Sequence, residues 1–327
     1  MTNNTIKFSV NKEDEGSRLD LILAKRISSL TRSKLKKIIE SKNVKINNSV
    51  ISSPSKKVRL NENIVVNIFE NKNNRIRPFK TKIDIVYEDK DILVVNKPAG
   101  MVVHPGAGNF EKTLVNALVF KYKKKLSNIN GELRPGIVHR IDKETSGLIV
   151  VAKNNTAHSK LGIQFSEHTI ERKYLALVWG VIRPLKGKIE TLITRNKKNR
   201  QLMAVSEIRG KKAVTNYSTE KIYSINDIPK ISLVECKLET GRTHQIRVHM
   251  SHKGNPLLAD KQYGKKNMKF KKINKDFEKI INTLKGQALH AKSLGFVHPG
   301  NNKFMKFESK PPKDYKKLLD LLNKLSN

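Results

Sequence analysis

The stretch Arg134 to Lys153, RPGIVHRIDKETSGLIVVAK, sets an apolar pair (Ile137, Val138) and an apolar run (Leu148 to Val151) around a break that carries His139, Arg140, Asp142, Lys143 and Glu144 before Gly147. Apolar, β-branched residues bounded by polar ones read as buried strands, so the stretch predicts strand, polar break, strand. Such breaks are ordinarily built from Asn, Gly, Pro or Ser. Here an acid stands two residues after a base. A carboxylate near guanidinium groups stays ionised, because opposite charge within about 4–6 Å favours the charged form.

Outward from this stretch the chain alternates many short strands (DIVYED, DILVVNKPAG, KYLALVWGVI, KAVTNYSTEKIY, ISLVECKLE) with fewer helices (TLVNALVFKYKK, THQIRVHMSHKG ending at Gly254, DFEKIINTLK, DYKKLLDLLNKL). Strands often follow one another directly, which predicts an α+β catalytic domain with a mainly antiparallel mixed sheet and flanking helices, not a doubly wound nucleotide fold. Residues 17–67 have a pattern of their own. Leu19, Ile22, Leu23 and Ile27 fall at helical spacing. A second helix starts with Thr31 as its N-cap, buries Leu35, Ile38 and Ile39, and turns Arg32, Lys34, Lys36 and Lys37 to other faces. NVKINNSVI then alternates as a hairpin about Asn47 and Asn48, residues that tolerate positive φ. Residues 70–82, ENKNNRIRPFKTK, have linker composition. The expected organisation is therefore a domain over 1–69 with its core at 17–67, a linker over 70–82, and a catalytic domain over 83–327.

Across 327 residues, 66 Lys and Arg face 29 Asp and Glu, a formal charge of +37. Such a field attracts polyanions, nucleic acid before an acidic membrane surface. No window approaches the roughly 20 apolar residues that cross a bilayer, and the N-terminus lacks the apolar core of a signal peptide, so the expected location is the cytoplasm. The single cysteine, Cys236, sits in an alternating run and reads as a small core residue.

HRID resembles a kinase catalytic loop, but no Gly-rich phosphate loop precedes it and no DFG follows. His244, His249 and His252 match no zinc spacing, so neither a metal nor a cofactor is expected. The polar groups left are Asp142, then Tyr174 at the start of an apolar strand, then Arg242 and Arg247 in ETGRTHQIR. Each has a plain structural reading as a turn residue, a strand-end residue or a surface cation.

Their order, however, resembles the ribosomal large-subunit family of RNA pseudouridine synthases. The resemblance runs through DIVYEDKDILVVNKPAGMVVHPG, GIVHRIDKETSGLIVVAK, ERKYLALVWG, LETGRTHQIRVHM and ALHAKSLGFVHP, and residues 17–67 resemble the S4 RNA-binding module. Ile141 stands where Leu is commoner, and Ala259 and Lys261 where Gly and Pro are usual. The resemblance implies a small S4-like α/β RNA-binding domain before the catalytic domain, RNA of the large ribosomal subunit as partner, no membrane, no cofactor and a monomer. It implies that Asp142 is the essential carboxylate, acting as nucleophile at the base or the sugar, or as a base at the ribose that generates a glycal. It further implies that Arg242 pairs with Asp142, that Tyr174 packs on the target uracil and relays a proton, and that Arg140 fills the gap left by a flipped base. His139, Lys97 and Arg247 would meet substrate in the cleft, while Arg32, Lys36 and Lys37, with the basic loop Lys265, Lys266, Lys269, Phe270 and Lys271, would grip RNA. Other ribosomal or transfer RNA uridines, and a non-catalytic S4-type assembly factor, remain alternatives; the latter leaves Asp142, Tyr174 and Arg242 without a reason to occur together.

Overall fold

The structure, a computed structural model, describes residues 3–27, 30, 32–69, 76–106, 108–123, 125–226, 228–264 and 275–326. It divides into two compact units, residues 1–75 and 76–327.

In the first unit two helices, α1 (Leu19–Arg26) and α2 (Arg32–Glu40), share one core with a sheet ordered β1–β4–β2–β3, where β1 is Asn3–Ser9, β2 Val44–Ile46, β3 Ser49–Ile51 and β4 Asn63–Phe69. The apolar positions spaced for a helix are the buried ones: Leu19, Ile22, Leu23 and Ile27 meet Leu35 and Ile39 over Val44, Ile64 and Val66. The expected hairpin forms, with Asn47 and Asn48 both at positive φ, 46° and 69°. Asp20 is buried between Arg18 (3.0 Å) and Arg32 (2.8 Å). Hydrogen bonds from Arg18, opposed by burial and reinforced by Arg32, hold its carboxyl at about 2. Thr31 and residues 70–75 of the expected linker lie outside the described residues, as does the basic loop at 265–271; residues 76–82 have no regular structure.

The second unit is a mixed sheet of ten strands among the described residues. They are β5 (Asp84–Glu88), β6 (Ile92–Lys97), β7 (Ser146–Ala152), β8 (Glu171–Trp179), β9 (Lys186–Arg195), β10 (Met203–Ser206), β11 (Lys211–Tyr223), β12 (Ile231–Leu238), β13 (Leu289–Val297) and β14 (Phe304–Glu308). The order is β10–β9–β11–β12–β8–β13–β7–β6–β5, with β14 on β13. Every ladder is antiparallel except β13 on β7, so the fold is the expected α+β with a mainly antiparallel sheet. Helices α3 (Leu114–Tyr122), α4 (Asn155–Ser166), α5 (Gln245–His252), α6 (Lys275–Thr283) and α7 (Lys313–Leu325) flank it.

Two local expectations differ. Ile137 and Val138 do not form a strand; Ile137 makes a single isolated bridge to Val151, and the break continues straight into β7. Helix α4 was not expected, because its buried apolar positions, Ala157 and Leu161, are too few to write a stripe; Asn154, whose side chain accepts the Ala157 N–H at 2.8 Å, is the sequence signal that marks its start.

Gly147 fixes the junction where the break meets the sheet. It sits at φ 113°, opposite Ala291 across the parallel ladder, and a Cβ there would run into the Ala291 backbone. Gly147→Ala should therefore destabilise the second unit by at least about 3 kcal/mol, through strain and forced separation of β7 from β13. A melt of the purified variant within about a degree of the native protein would contradict this close approach.

Candidate active site

Cavity walls converge on the polar break. A cavity of about 280 Å³ is lined by Arg140 and Asp142 from the break, Phe165 from α4 and His168 just after it, Arg172 and Tyr174 from β8, Arg242 and His244 from the turn into α5, and Arg247 from α5 itself. The break is pinned from several sides. His139 Nε2 accepts the Val150 N–H at 3.0 Å while its ring stacks on Phe165 at 4.6 Å. Ile141 is buried in the main core, and Thr145 Oγ1 accepts from Gln287 at 2.9 Å. The Lys143 carbonyl accepts the Gly100 N–H (2.9 Å) and a proton of Lys97 Nζ (3.1 Å). Asp142 is thus presented by main-chain anchors on both sides of it.

Arg247, in the first turn of α5, grips two carboxylates. Its Nε and Nη2 donate bidentately to Asp260 (2.8 and 2.9 Å), Nη2 also reaches Gln262 (2.8 Å), and Nη1 donates to Asp142 Oδ2 at 3.2 Å. The Tyr263 ring lies 4.8 Å beneath the guanidinium. Burial works against the charge of Arg247, but Asp260 and Asp142 outweigh it and hold its pKa above the ordinary value. Burial likewise pushes Asp260 up, and the Arg247 bonds and charge bring it below its ordinary 3.8. The other Asp142 oxygen, Oδ1, lies 3.9 Å from His244 Nε2.

This corrects one expectation. Arg242 does not pair with Asp142: its Nε donates to the Lys212 carbonyl at 2.9 Å and its backbone N–H to Gln245 Oε1 at 2.9 Å, so the turn points its side chain along β11. Gln245 also accepts from Thr240 and donates to Val214, which stitches the turn to the sheet and carries Arg247, not Arg242, to the carboxylate. Lys97 is also placed differently. It does not line the cavity; it is fully buried, its ammonium donating to the carbonyls of Pro98 (2.8 Å), Met101 (2.8 Å) and Lys143 (3.1 Å). Burial, partly offset by Asp142, lowers its pKa to about 7. His139 lines the cavity but has its Nε2 occupied by the sheet. Arg140 is exposed at the cavity, and Tyr174 is buried in its wall, with burial raising its hydroxyl pKa. In the first unit Lys36 and Lys37 are exposed, whereas Arg32 is engaged by Asp20.

Wall residues missed from sequence include Arg172, Phe165 and His168. Arg172 is buried with its guanidinium 5.6 Å over Phe165 and Nη2 donating to Glu239 O at 3.2 Å; its position two residues before Tyr174 on one strand face was the available signal. Phe165 lies on the unexpected α4. Among the described residues, Asp89, Asp91 and His298 could bring metal-ligating atoms together. His298 Nδ1, however, accepts the N–H groups of Gly300 (3.1 Å) and Asn301 (3.2 Å), which leaves the proton of the neutral ring on Nε2, 2.7 Å from Asp89 Oδ2. That is a donor facing a carboxylate and does not suit a metal ligand.

The pairing can be tested by stability. Asp260 has no exposed side-chain surface, so Arg247→Met should cost about 3–5 kcal/mol by stranding a buried charge, while Arg242→Met should change stability by less than about 1 kcal/mol. Equal losses in thermal melts would contradict the assignment. A pH dependence follows from the buried histidines. Burial, with Arg172 adding to it, lowers His139 from 6.5 to about 3, and burial lowers His249 to about 4. Below 6.5 the unfolded chain binds protons that the folded chain refuses, so stability is full above 6.5 and is lost as pH falls toward 3. His139→Gln, which keeps an acceptor for Val150, should show a shallower fall of melting temperature between pH 6.5 and 4.

Known proteins resemble this chain over nearly its whole length. A family model described as RNA pseudouridylate synthase matches residues 91–252, and an S4 domain model matches residues 17–64. The chain is 44% identical over 323 residues to "Ribosomal large subunit pseudouridine synthase D" of Zymomonas mobilis subsp. mobilis (strain ATCC 31821 / ZM4 / CP4), covering 97% of this chain and 98% of the relative. It is 41% identical over 321 residues to "Uncharacterized RNA pseudouridine synthase YlyB" of Bacillus subtilis (strain 168), covering 98% and 99%. The solved structure "Human RNA Pseudouridylate Synthase Domain Containing 4" superposes with a TM-score of 0.56 at 24% identity, over 73% of this chain and 93% of that one, a likeness of fold. With an S4 unit of two helices and a four-stranded sheet at its N-terminus and a mixed sheet behind the cavity, the chain belongs to the RNA pseudouridine synthase family, enzymes of the isomerase class.

Proposed function

We propose that this enzyme isomerises specific uridines of large-subunit ribosomal RNA to pseudouridine through Asp142, working as a cytoplasmic monomer without a cofactor. The observation that carries the reading is the half-committed carboxylate: Asp142 Oδ2 is held by Arg247 while Oδ1 faces the cavity. The choice of large-subunit RNA comes from relatives bearing that name.

The reaction breaks the N1–C1′ bond, with its electron pair leaving on the uracil. It then forms a C5–C1′ bond, releases the C5 proton and returns a proton to N1, so no redox partner is required. Asp142 acts at the ribose, as nucleophile at C1′ or as base at C2′. Arg247 orients it through a charge-assisted bond, the role expected at first of Arg242. Tyr174 packs against the uracil and is placed to relay the C5 proton. Arg140 occupies the gap left by the extruded base, recovering part of an unstacking cost of a few kcal/mol. Residues 1–69, joined through a linker at 70–82 to the catalytic domain at 83–327, add phosphate contacts from Lys34, Lys36 and Lys37 of α2, with Arg32 contributing once pinned by Asp20.

Isomerisation exchanges the hydrogen on C5, so RNA carrying 5-tritiated uridine reports it by tritium release. Asp142→Asn should release none while binding RNA within about threefold of the native protein, because it removes a reacting group and no phosphate contact. Retained release by this variant would sink the assignment. Removing residues 1–75 should weaken binding and flatten its salt dependence, each lost phosphate contact lowering the slope of log affinity against log salt by about 0.7–0.9. An unchanged slope would deny the first unit a role in RNA binding.

A further inference from the structure

His244 enters the cavity from the turn before α5 with its backbone left-handed, at φ 57° and ψ 21°. Non-glycine residues persist there when their surroundings over-determine them. The Met203 N–H donates to Tyr263 Oη at 2.8 Å, and the same oxygen lies 2.8 Å from His244 Nδ1, so the hydroxyl has one acceptor position filled and its proton free to be donated to the ring. The two rings stand edge to face, 5.6 Å apart at 77°. With Nδ1 accepting, the neutral imidazole carries its proton on Nε2. Burial, opposed by Asp142, keeps the ring's pKa below 6.5, so the neutral form prevails at neutral pH. Among the described residues Nε2–H has no acceptor at hydrogen-bond distance; Asp142 Oδ1 lies 3.9 Å from it.

A donor and a carboxylate oxygen at that separation can be bridged by one hydroxyl oxygen that accepts from the first and donates to the second. We infer that His244 reads the ribose of the target nucleotide, donating Nε2–H to its 2′-hydroxyl while that hydroxyl donates to Asp142. The inference rests on Asp142 as the acting carboxylate, but not on its route. Whether the carboxylate works at C1′ or at C2′, the 2′-oxygen is bonded to C2′ and lies one atom from C1′, on the ribose edge next to the carboxylate. The 2′-hydroxyl is the group that separates RNA from DNA, and it can serve as donor and acceptor at once. That tautomer suits this task, because a ring with a lone pair on Nε2 would compete with Asp142 for the hydroxyl proton.

The test pairs a protein change with a substrate change. His244→Asn tolerates the left-handed backbone, can still accept from Tyr263 through its side-chain oxygen, and ends short of the cavity. His244→Gly, unstrained at this φ, gives the same comparison by a second route. Each protein is assayed by kcat/KM on two RNAs that differ in one atom, a uridine or a 2′-deoxyuridine at a position the native enzyme isomerises. The deoxy substitution should lower kcat/KM about tenfold more in the native enzyme than in His244→Asn or His244→Gly, where only the contact of the hydroxyl with Asp142 remains to be lost. Any intrinsic effect of the missing hydroxyl on the chemistry is common to all three and cancels in the ratio. His244→Gln, whose amide nitrogen can reach the Nε2 position, should restore the discrimination. Equal deoxy penalties in native and variant enzymes overturn the inference while leaving the proposed function intact. Failure of the native enzyme to isomerise any all-ribose large-subunit RNA overturns the proposed function, and the inference with it.

Discussion

The catalytic unit turns on one guanidinium shared unequally between two carboxylates. Arg247 gives Asp260 two hydrogen bonds and Asp142 one, longer than either. The bidentate half is structural: it closes the segment after α5 onto the helix, places the Tyr263 ring under the guanidinium, and leaves no freedom for the arginine to swing. The monodentate half fixes the direction of Asp142 yet leaves one oxygen uncommitted. Had the fork faced Asp142 squarely, both oxygens would be occupied and substrate would have to displace a charge-assisted bond.

The other half of the arrangement is made by backbone. Lys97 collects carbonyls from Pro98, Met101 and Lys143, so one buried ammonium satisfies groups of two loops that would otherwise face each other unpaired. His139 does the converse, supplying an acceptor to a β7 amide at the edge of the break. Both residues lie within the motifs that looked like substrate contacts, and both serve by holding Asp142 still.

Much of this was legible from residue pattern, and the failures have physical causes. The first unit's helices and hairpin followed from apolar spacing and from the Asn pair, because there burial obeys a simple period. Asp142 stood out because an acid among bases is poor turn chemistry. The choice between Arg242 and Arg247 was not legible: both flank the start of α5, and their directions depend on a turn stitched by Gln245 to β11, a contact between residues some thirty positions apart. Lys97 misled because lysine reads as exposed unless its acceptors are known. Helix α4 escaped because it is partly covered without a continuous apolar stripe, and with it went Phe165 and the recognition that Arg172 belongs to the wall.

The position of β13 has a consequence for synthesis of the chain. This strand, Leu289–Val297, enters the sheet between β7 and β8, two strands made more than a hundred residues earlier. Until it arrives, the half-sheet ending in β7 and the half-sheet ending in β8 each present an open edge, and Gly147 has no Ala291 to rest against. The halves carry different parts of the cavity, the Asp142 break on one side and Tyr174 with the α5 turn on the other. A nascent or truncated chain lacking its last forty residues therefore holds every charged residue of the site in sequence but cannot assemble it. Closure by a late central strand makes catalytic competence a property of the finished chain, and makes the interval before closure the time when these paired edges are most open to wrong partners.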